Sequence, residues 1–187
     1  MSKRNAVKII WNFLWNSNSI WSWILDLLIL FVIIKFIFFP LLGLALATKL
    51  PMVIVETPSM VHQGSFDSWW QNFGAWYENK NITKQDAEEW PFRNGINPGD
   101  IVIVKGFRNG LDLKQGEVIV FDAHQQVPII HRVMYFNSVI GTKGDNNREQ
   151  RTDETTIPKS DVIGKAVFRI PKLGWVKLIF VKLINGF

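Results

Sequence analysis

Cysteine is absent from the 187-residue chain. The protein therefore has no disulfide, no thiolate metal site and no thiol nucleophile, and covalent catalysis would have to use Ser, Thr, Lys or a carboxylate. The net charge of the chain is +5, and Lys3, Arg4 and Lys8 near the N-terminus contribute +3 of it. Because residues 49–187 are nearly balanced, the sequence predicts no basic face for nucleic acid.

One long hydrophobic run lies near the N-terminus. Residues 27–47 contain Lys35 as their single charged residue. A helix of this length rises about 30 Å, the thickness of the hydrocarbon core of a bilayer. The alternative is a cleaved secretory signal, but its apolar part is usually shorter and closer to the N-terminus. The sequence therefore predicts a transmembrane anchor over residues 20–47.

The flanking residues predict the orientation of this anchor. Basic residues within 1–19 precede the run, so the positive-inside rule keeps the N-terminus in the cytoplasm and sends residues 48 onward across the cell membrane. We expect a single-pass protein whose segment 1–19 lies in the cytoplasm or at the membrane interface. Four tryptophans cluster on that side, where indole rings favour the headgroup layer: Trp11, Trp15, Trp21 and Trp23.

The rest of the chain is rich in short apolar runs that alternate with turn residues. Within residues 48–172 these runs predict antiparallel strands with little helix among them. We expect a mainly β fold, a small antiparallel barrel or sandwich behind the N-terminal transmembrane helix. The predicted strands are 52–55, 101–104, 117–121, 127–136, 138–142 and 164–170, of which 117–121 and 127–136 form a hairpin.

Two segments break the strand pattern. Residues 66–95 carry aromatic residues at near-helical spacing and predict an inserted subdomain, whose aromatic side chains pack either on the β domain or on the outer lipid surface. Residues 173–187 are too short and too charged for a second span, and predict an interfacial or docked amphipathic segment. Asn81 begins an Asn-Ile-Thr match to the N-glycosylation acceptor.

Candidate catalytic residues lie where predicted strands end. Ser59 follows Pro58 at the end of the first strand, a position that can expose a hydroxyl but is most often only a turn. A serine nucleophile needs a base, and the histidines are His62, His124 and His131. His131 interrupts an apolar strand, which is more often a structural position than a catalytic one. His124 lies in a polar connection and is expected to be solvated.

A third cluster runs from Gly141 to Asn147 and is followed by Asp153 and Glu154. A Gly-Asp-Asn turn can hold a carboxylate that orients an imidazole through its Nδ1 proton. The alternatives are an ordinary turn and a calcium-like acidic cluster.

Four segments together resemble the type I signal peptidases, in the archaeal and endoplasmic-reticulum branch, where a histidine precedes the arginine. The resemblance covers about residues 20–172 without the 66–95 insertion. The four segments are Thr57-Pro58-Ser59-Met60, Pro98-Gly99-Asp100-Ile101-Val102, Ile129-Ile130-His131-Arg132-Val133 and Thr142-Lys143-Gly144-Asp145-Asn146-Asn147.

The resemblance implies a membrane-bound serine endopeptidase that cleaves N-terminal signal peptides from exported preproteins. It assigns Ser59 as nucleophile, His131 as general base and Asp145 as the first functional aspartate. The family's second aspartate comes six residues later, where this chain has Arg151, so Asp153 is the nearest candidate. By the same analogy the oxyanion is held by the Ser59 amide and the Thr57 hydroxyl.

The resemblance also implies partners and specificity. Preproteins with signal peptides, the lipid bilayer and the secretion translocon are the candidate partners, and the chemistry requires no cofactor. The family prefers small residues at the first and third positions before the cut. Three other functions remain open: a Ser/Lys peptidase with Lys143 as base, a noncatalytic membrane-anchored envelope module that binds through the Trp-rich insertion, and a soluble self-cleaving regulator, which the membrane span disfavours.

Overall fold

The computed structural model describes Asn12 and residues 19–185. The chain divides into two compact units, of which the first ends at Ala45 and the second begins at Leu46. The predictions made for the basic residues of segment 1–19 and for Trp11 and Trp15 lie outside the described residues.

A continuous apolar helix begins at Ile20 in the first unit and ends at Leu46, the first residue of the second unit. It consists of α1 (Ile20–Ile33), a π-helical turn (Ile34–Phe38) and α2 (Phe39–Leu46). In the described part of the chain, this 27-residue stretch is the one helix with the length and composition needed to cross a membrane.

The π-helical turn lies directly before Pro40. Proline lacks an amide hydrogen, and its ring collides with the carbonyl group four residues earlier in a regular α-helix. A wider turn relieves this crowding, and the amide of Phe39 bonds to the carbonyl of Ile34, five residues back. Pro40 thus changes the local winding and does not end the helix.

The second unit is built on one six-stranded antiparallel sheet with the order β1-β2-β6-β3-β4-β5. This confirms the prediction of a mainly β domain behind an apolar N-terminal helix; the described sheet is mostly open, with β1 and β5 at its edges. The strands are β1 (Met52–Ile54), β2 (Ile101–Lys105), β3 (Val118–Phe121), β4 (Ile129–Phe136), β5 (Ile140–Lys143) and β6 (Val162–Ile170).

Strand β3 lies within the sheet and is buried on both faces. Val118 and Val120 belong to one apolar cluster, whereas Ile119 and Phe121 belong to another. This alternation follows from the two-residue period of a strand. The predicted hairpin of β3 and β4 is present and places Ile119 opposite His131.

The insertion folds into α3 (Phe66–Glu78) and α4 (Lys84–Glu88). Each helix begins at a residue whose side chain accepts a backbone N–H: Ser65 caps α3, and Thr83 forms a capping box with Asp86. The aromatic side chains pack together and on β4, so the insertion contributes its own small core. The buried members of this core are Trp69, Trp70, Tyr77, Ile82, Ala87, Trp90 and Met134.

The C-terminal segment forms α5 (Trp175–Asn185). The indole of Trp175 covers Gly99, where a Cβ would lie 2.2 Å from the ring. Gly99 has a φ of +84°, so glycine is required there both for the backbone conformation and for this contact.

Candidate active site

Ser59 lies in a single 3₁₀ turn, Pro58–Met60, that follows β1. Proline at the start of this turn is already restricted to a suitable φ and has no amide hydrogen to leave unpaired. The hydroxyl of Ser59 is 3.2 Å from the hydroxyl of Thr57. The predicted nucleophile and the predicted side-chain oxyanion donor are therefore neighbours.

His131 approaches this turn from β4. Its side chain is almost completely buried, and its Nε2 faces Gly144. A Cβ on Gly144 would lie 2.8 Å from Nε2 of His131 and 2.9 Å from the carbonyl oxygen of Ser59. The structure thus brings the turn of Ser59 and the imidazole of His131 together across a residue that has no side chain.

Asn146 connects the Gly-Asp-Asn turn to the serine turn. Its backbone N–H donates to the carbonyl of Ser59 at 2.7 Å, and its side-chain amide donates to the carbonyl of Pro58 at 3.1 Å. The N–H of Asn147 closes the turn on the carbonyl of Gly144 at 3.0 Å. These bonds fix two segments that are distant in the sequence against each other.

Glu154 supplies the carboxylate beside the imidazole. Its Oε1 lies 2.5 Å from Nδ1 of His131, a close contact between carboxylate and ring that is not aligned as a hydrogen bond. The Glu154 side chain is fully buried at the end of the 3₁₀ turn Thr152–Glu154. A carboxylate at Nδ1 leaves Nε2 as the ring nitrogen that faces Gly144 and Ser59.

Asp145 has other partners. The guanidinium of Arg132 donates from Nε to Oδ1 at 2.8 Å and from Nη2 to Oδ2 at 2.6 Å, and Nε2 of His62 lies 2.9 Å from Oδ2. Burial alone would raise the pKa of Asp145, but Arg132 and His62 hold it well below its usual range. The described contacts therefore place Asp145 in a buried ion pair instead of at the imidazole of His131, because both of its oxygens are occupied.

Asp153 lies on the surface. Its carboxylate is about half exposed and forms a bidentate pair with the guanidinium of Arg151, which holds the pKa of Asp153 below its usual value. The resemblance made Asp153 the nearest candidate for the family's second aspartate, whereas in the structure Glu154 is the acid that contacts His131. The order of residues could not separate the two acids, since only the direction of the 3₁₀ turn decides which one points inward.

The other two histidines lie in different surroundings. His124 is exposed, as expected, and pairs with Asp161 at 3.4 Å. His62 is buried and stacks on Trp69 with ring centroids 4.0 Å apart, a role that its sequence context did not indicate. Among the described residues, no group of three or more His, Asp or Glu is arranged to hold a metal ion.

Lys143 is the remaining candidate base from the sequence. Its side chain is fully buried, and Nζ donates to the hydroxyl of Tyr77 at 3.2 Å and to the carbonyl of Gly144 at 3.1 Å. Burial lowers its pKa to about 8. The amine is therefore engaged with the aromatic side chains of the insertion.

Thr57, Ser59 and His131 open into a cleft of about 600 Å³. The edge strand β1 and the stretch 127–130 both line this cleft. Charged and polar side chains from other segments complete the lining: Glu56, Gln125, Asn147, Glu149, Arg151 and Lys177. The cleft is partly apolar and is lined by a strand at the edge of the sheet, a combination that suits an extended peptide.

The chain is similar to proteins with named functions. It is 30% identical over 93 residues to the signal peptidase complex catalytic subunit SEC11C of Homo sapiens, an alignment that covers 43% of this chain and 48% of that protein. The corresponding subunit SEC11 of Leptosphaeria maculans is 32% identical over 94 residues, covering 43% and 53% of the two chains. That of Scheffersomyces stipitis is 28% identical over 96 residues, covering 45% and 57%.

No protein-family model matches the chain. The chain spans about half the length of the relatives that it matches. The chain is thus a relative of the catalytic subunits of signal peptidase complexes, which confirms the predicted resemblance to the type I signal peptidases of the endoplasmic-reticulum branch.

Proposed function

We propose that the protein is a membrane-anchored serine endopeptidase that removes N-terminal signal peptides from exported preproteins. The observation that carries this proposal is the convergence of Ser59 and His131 across Gly144 at the wall of an open cleft. Lys143 is not assigned as the base, because its amine is buried against Tyr77 and the Gly144 carbonyl.

Proton transfer between His131 and Ser59 accounts for the chemistry. Nε2 of His131 takes the hydroxyl proton as Oγ attacks the scissile carbonyl carbon, and then protonates the departing amine. Water, activated by the same nitrogen, hydrolyses the acyl-enzyme ester and restores Ser59. Glu154 at Nδ1 stabilises the imidazolium, a part that the resemblance assigned to an aspartate.

The oxyanion needs donors on the side of the serine turn. We assign the backbone N–H of Ser59 and the hydroxyl of Thr57, whose oxygen lies 3.2 Å from Oγ of Ser59. Pro58 between them has no amide hydrogen to offer.

The substrate binds as an added strand. Strand β1 is at the edge of the sheet and lines the cleft, so an extended segment can bond to its backbone and send alternate side chains toward the wall formed by residues 127–130. The preference of the family for small residues near the cut fits a shallow apolar wall, which discriminates mainly by excluding bulk.

The helix Ile20–Leu46 is the proposed single-pass anchor, with the N-terminus in the cytoplasm and residues 48 onward outside. The peptidase unit follows the anchor directly in the sequence, so its substrates are segments that emerge from the bilayer. Preproteins, lipid and the secretion translocon are the corresponding partners.

Cleavage of a preprotein by the purified full-length chain in detergent tests the proposal. We expect wild type to release one product with a defined new N-terminus, and Ser59→Ala and His131→Ala to release none. His124→Ala is the matched control, since His124 is exposed and paired with Asp161. Retained cleavage by Ser59→Ala, or cleavage at scattered positions by wild type, would contradict the proposal.

A further inference from the structure

A buried cation lies next to the proposed site without taking part in the proton transfer. Lys143 is the last residue of β5, and its side chain has no exposed surface. Removing an ammonium from water is costly unless other groups replace its hydration. The groups around Lys143 must therefore replace the hydration of its ammonium.

Three aromatic rings of α3 surround the ammonium. Nζ of Lys143 lies 5.7 Å from the ring centroid of Phe73, 5.0 Å from that of Trp76 and 4.7 Å from that of Tyr77. Each ring presents a negative face that attracts a cation. We call Phe73, Trp76 and Tyr77 the aromatic cage; all three belong to the inserted segment that interrupts the resemblance to the signal peptidases.

The caged ammonium is bonded to the turn at the centre of the proposed site. It donates to the carbonyl of Gly144 at 3.1 Å, and the same carbonyl accepts the N–H of Asn147 at 3.0 Å. Gly144 is the residue at which Nε2 of His131 and the carbonyl of Ser59 meet. A shift of this carbonyl would therefore move the turn that separates the two reacting side chains.

We propose that Lys143 is a positioning residue: the aromatic cage holds its ammonium on the carbonyl of Gly144 and so fixes the turn that aligns Ser59 with His131. This inference rests on the proposed peptidase function. Under this proposal, the Trp-rich insertion stabilises the position of the turn that contains Gly144.

The proposal requires the charged form of Lys143. Four ionisable groups face the amine: Tyr77 from α3, Arg132 from β4, and Asp145 and Glu154 from the chain after β5. Burial lowers the pKa of Lys143 to about 8, while Asp145 and Glu154 oppose this shift and Arg132 adds to it. A positioning ammonium therefore predicts that kcat falls as the pH rises through about 8, whereas a lysine general base predicts that kcat rises over the same interval.

The test compares Lys143→Met, Lys143→Arg and Trp76→Leu with wild type in the cleavage assay from pH 6 to pH 10. We expect Lys143→Met to lower kcat by about 10- to 100-fold with KM unchanged, since small displacements of reacting groups have costs of this size. Lys143→Arg is expected to stay within about fivefold of wild type and to lose the alkaline decline, because a guanidinium stacks on aromatic rings and stays protonated. Trp76→Leu, which admits water to the amine, should move the decline to higher pH.

Lys165→Met is the matched control, because it removes a partly buried lysine that pairs with Glu117, the residue directly before β3. It should leave the pH profile of kcat unchanged. Equal kcat for Lys143→Met and wild type would overturn the proposal. So would an inactive Lys143→Arg combined with an alkaline decline of kcat in wild type that Trp76→Leu leaves at the same pH.

Hydrogen exchange separates this inference from the peptidase function. Mass spectrometry on the full chain in detergent should show faster amide exchange over residues 144–147 in Lys143→Met than in wild type, with Lys143→Arg close to wild type. This readout does not depend on cleavage. Unchanged exchange in Lys143→Met would contradict the positioning role even if the enzyme is active, and absence of cleavage by wild type would count against the peptidase function alone.

Discussion

Nδ1 of His131 and Oε1 of Glu154 lie 2.5 Å apart, with both side chains almost completely removed from solvent. A buried carboxylate this close to one ring nitrogen stabilises a positive charge on the imidazole, and the other nitrogen is left to take the proton. Nε2 faces Gly144 and the serine turn. From this contact we propose Glu154, in place of Asp145 or Asp153, as the acid of the triad.

Glu154→Gln should therefore lower kcat strongly. The amide keeps the shape of the side chain but cannot stabilise an imidazolium, and the corresponding change in another serine protease triad has a cost of about 10⁴-fold. We expect a loss of about 10³-fold or more in kcat with little change in KM. Steady-state kinetics on a peptide that spans the cleavage site measures both quantities.

Asp153→Asn is the control for that variant. It changes the adjacent acid in the same way, but Asp153 is about half exposed and paired with Arg151. Its kcat should stay within about twofold of wild type, as expected for a surface ion pair. A larger loss of kcat in Asp153→Asn than in Glu154→Gln would show that Asp153, and not Glu154, acts on His131.

The contrast between these two acids shows what the sequence could and could not predict. The local patterns of Ser59 and His131, a turn after a strand and a histidine inside an apolar strand, did not single them out; the family resemblance did, and the structure places both of them at one cleft. The partner of the imidazole was not predictable, since Asp153 and Glu154 are neighbours and only the 3₁₀ turn decides which one is buried. His62 was also missed, because its contact with Asp145 joins residues 83 positions apart.

The fold, too, was predictable from the sequence only in part. All six strands coincide with predicted apolar runs, and the β3–β4 hairpin was predictable because its strands are close in the sequence. The sheet order was not, since β6 inserts between β2 and β3 and pairs Ile101 with Ile170. Such pairings depend on packing across the whole domain, which short-range patterns do not encode.

Thr57→Val tests the oxyanion assignment. The substitution removes the hydroxyl that lies 3.2 Å from Oγ of Ser59 and keeps the branched shape of the side chain. Loss of one oxyanion donor typically lowers kcat by about 10²- to 10³-fold. Thr57→Ser, which restores the hydroxyl, should recover most of the activity; equal kcat for the Val and Ser variants would show that Thr57 is not a donor.

Gly144→Ala tests the contact between the two reacting segments. The new methyl group would lie 2.8 Å from Nε2 of His131 and 2.9 Å from the carbonyl of Ser59, both too close for a stable contact. The segments must move apart, and a displacement of about 1 Å can lower kcat by about 10²-fold. Gly110→Ala is the comparison: a Cβ meets nothing within 4 Å there, but its φ of +92° strains any side chain, so thermal stability should fall while kcat stays unchanged.

Asp145→Asn is expected to act on stability. Asp145 shares its two oxygens with Arg132 and His62 inside the core, and removing its charge leaves the Arg132 guanidinium buried without a counterion. Breaking a buried pair from one side costs about 3 kcal/mol or more, which should appear as a lower unfolding midpoint in urea at pH 7. Asp112→Asn, which changes an exposed aspartate, should leave the midpoint within experimental error.

The contribution of Asp145 to the free energy of unfolding should depend on pH in a definite direction. Arg132 and His62 hold the pKa of Asp145 below the value of about 4 for an aspartate in the unfolded chain. The ionised carboxylate therefore stabilises the fold fully at pH values above about 4, and this contribution is lost as the pH falls toward the lower pKa of the folded state. The difference in unfolding free energy between wild type and Asp145→Asn should therefore shrink as the pH falls below about 4. A difference that instead grows on acidification would mean that Asp145 is protonated in the folded protein, and the buried pair with Arg132 would have to be abandoned.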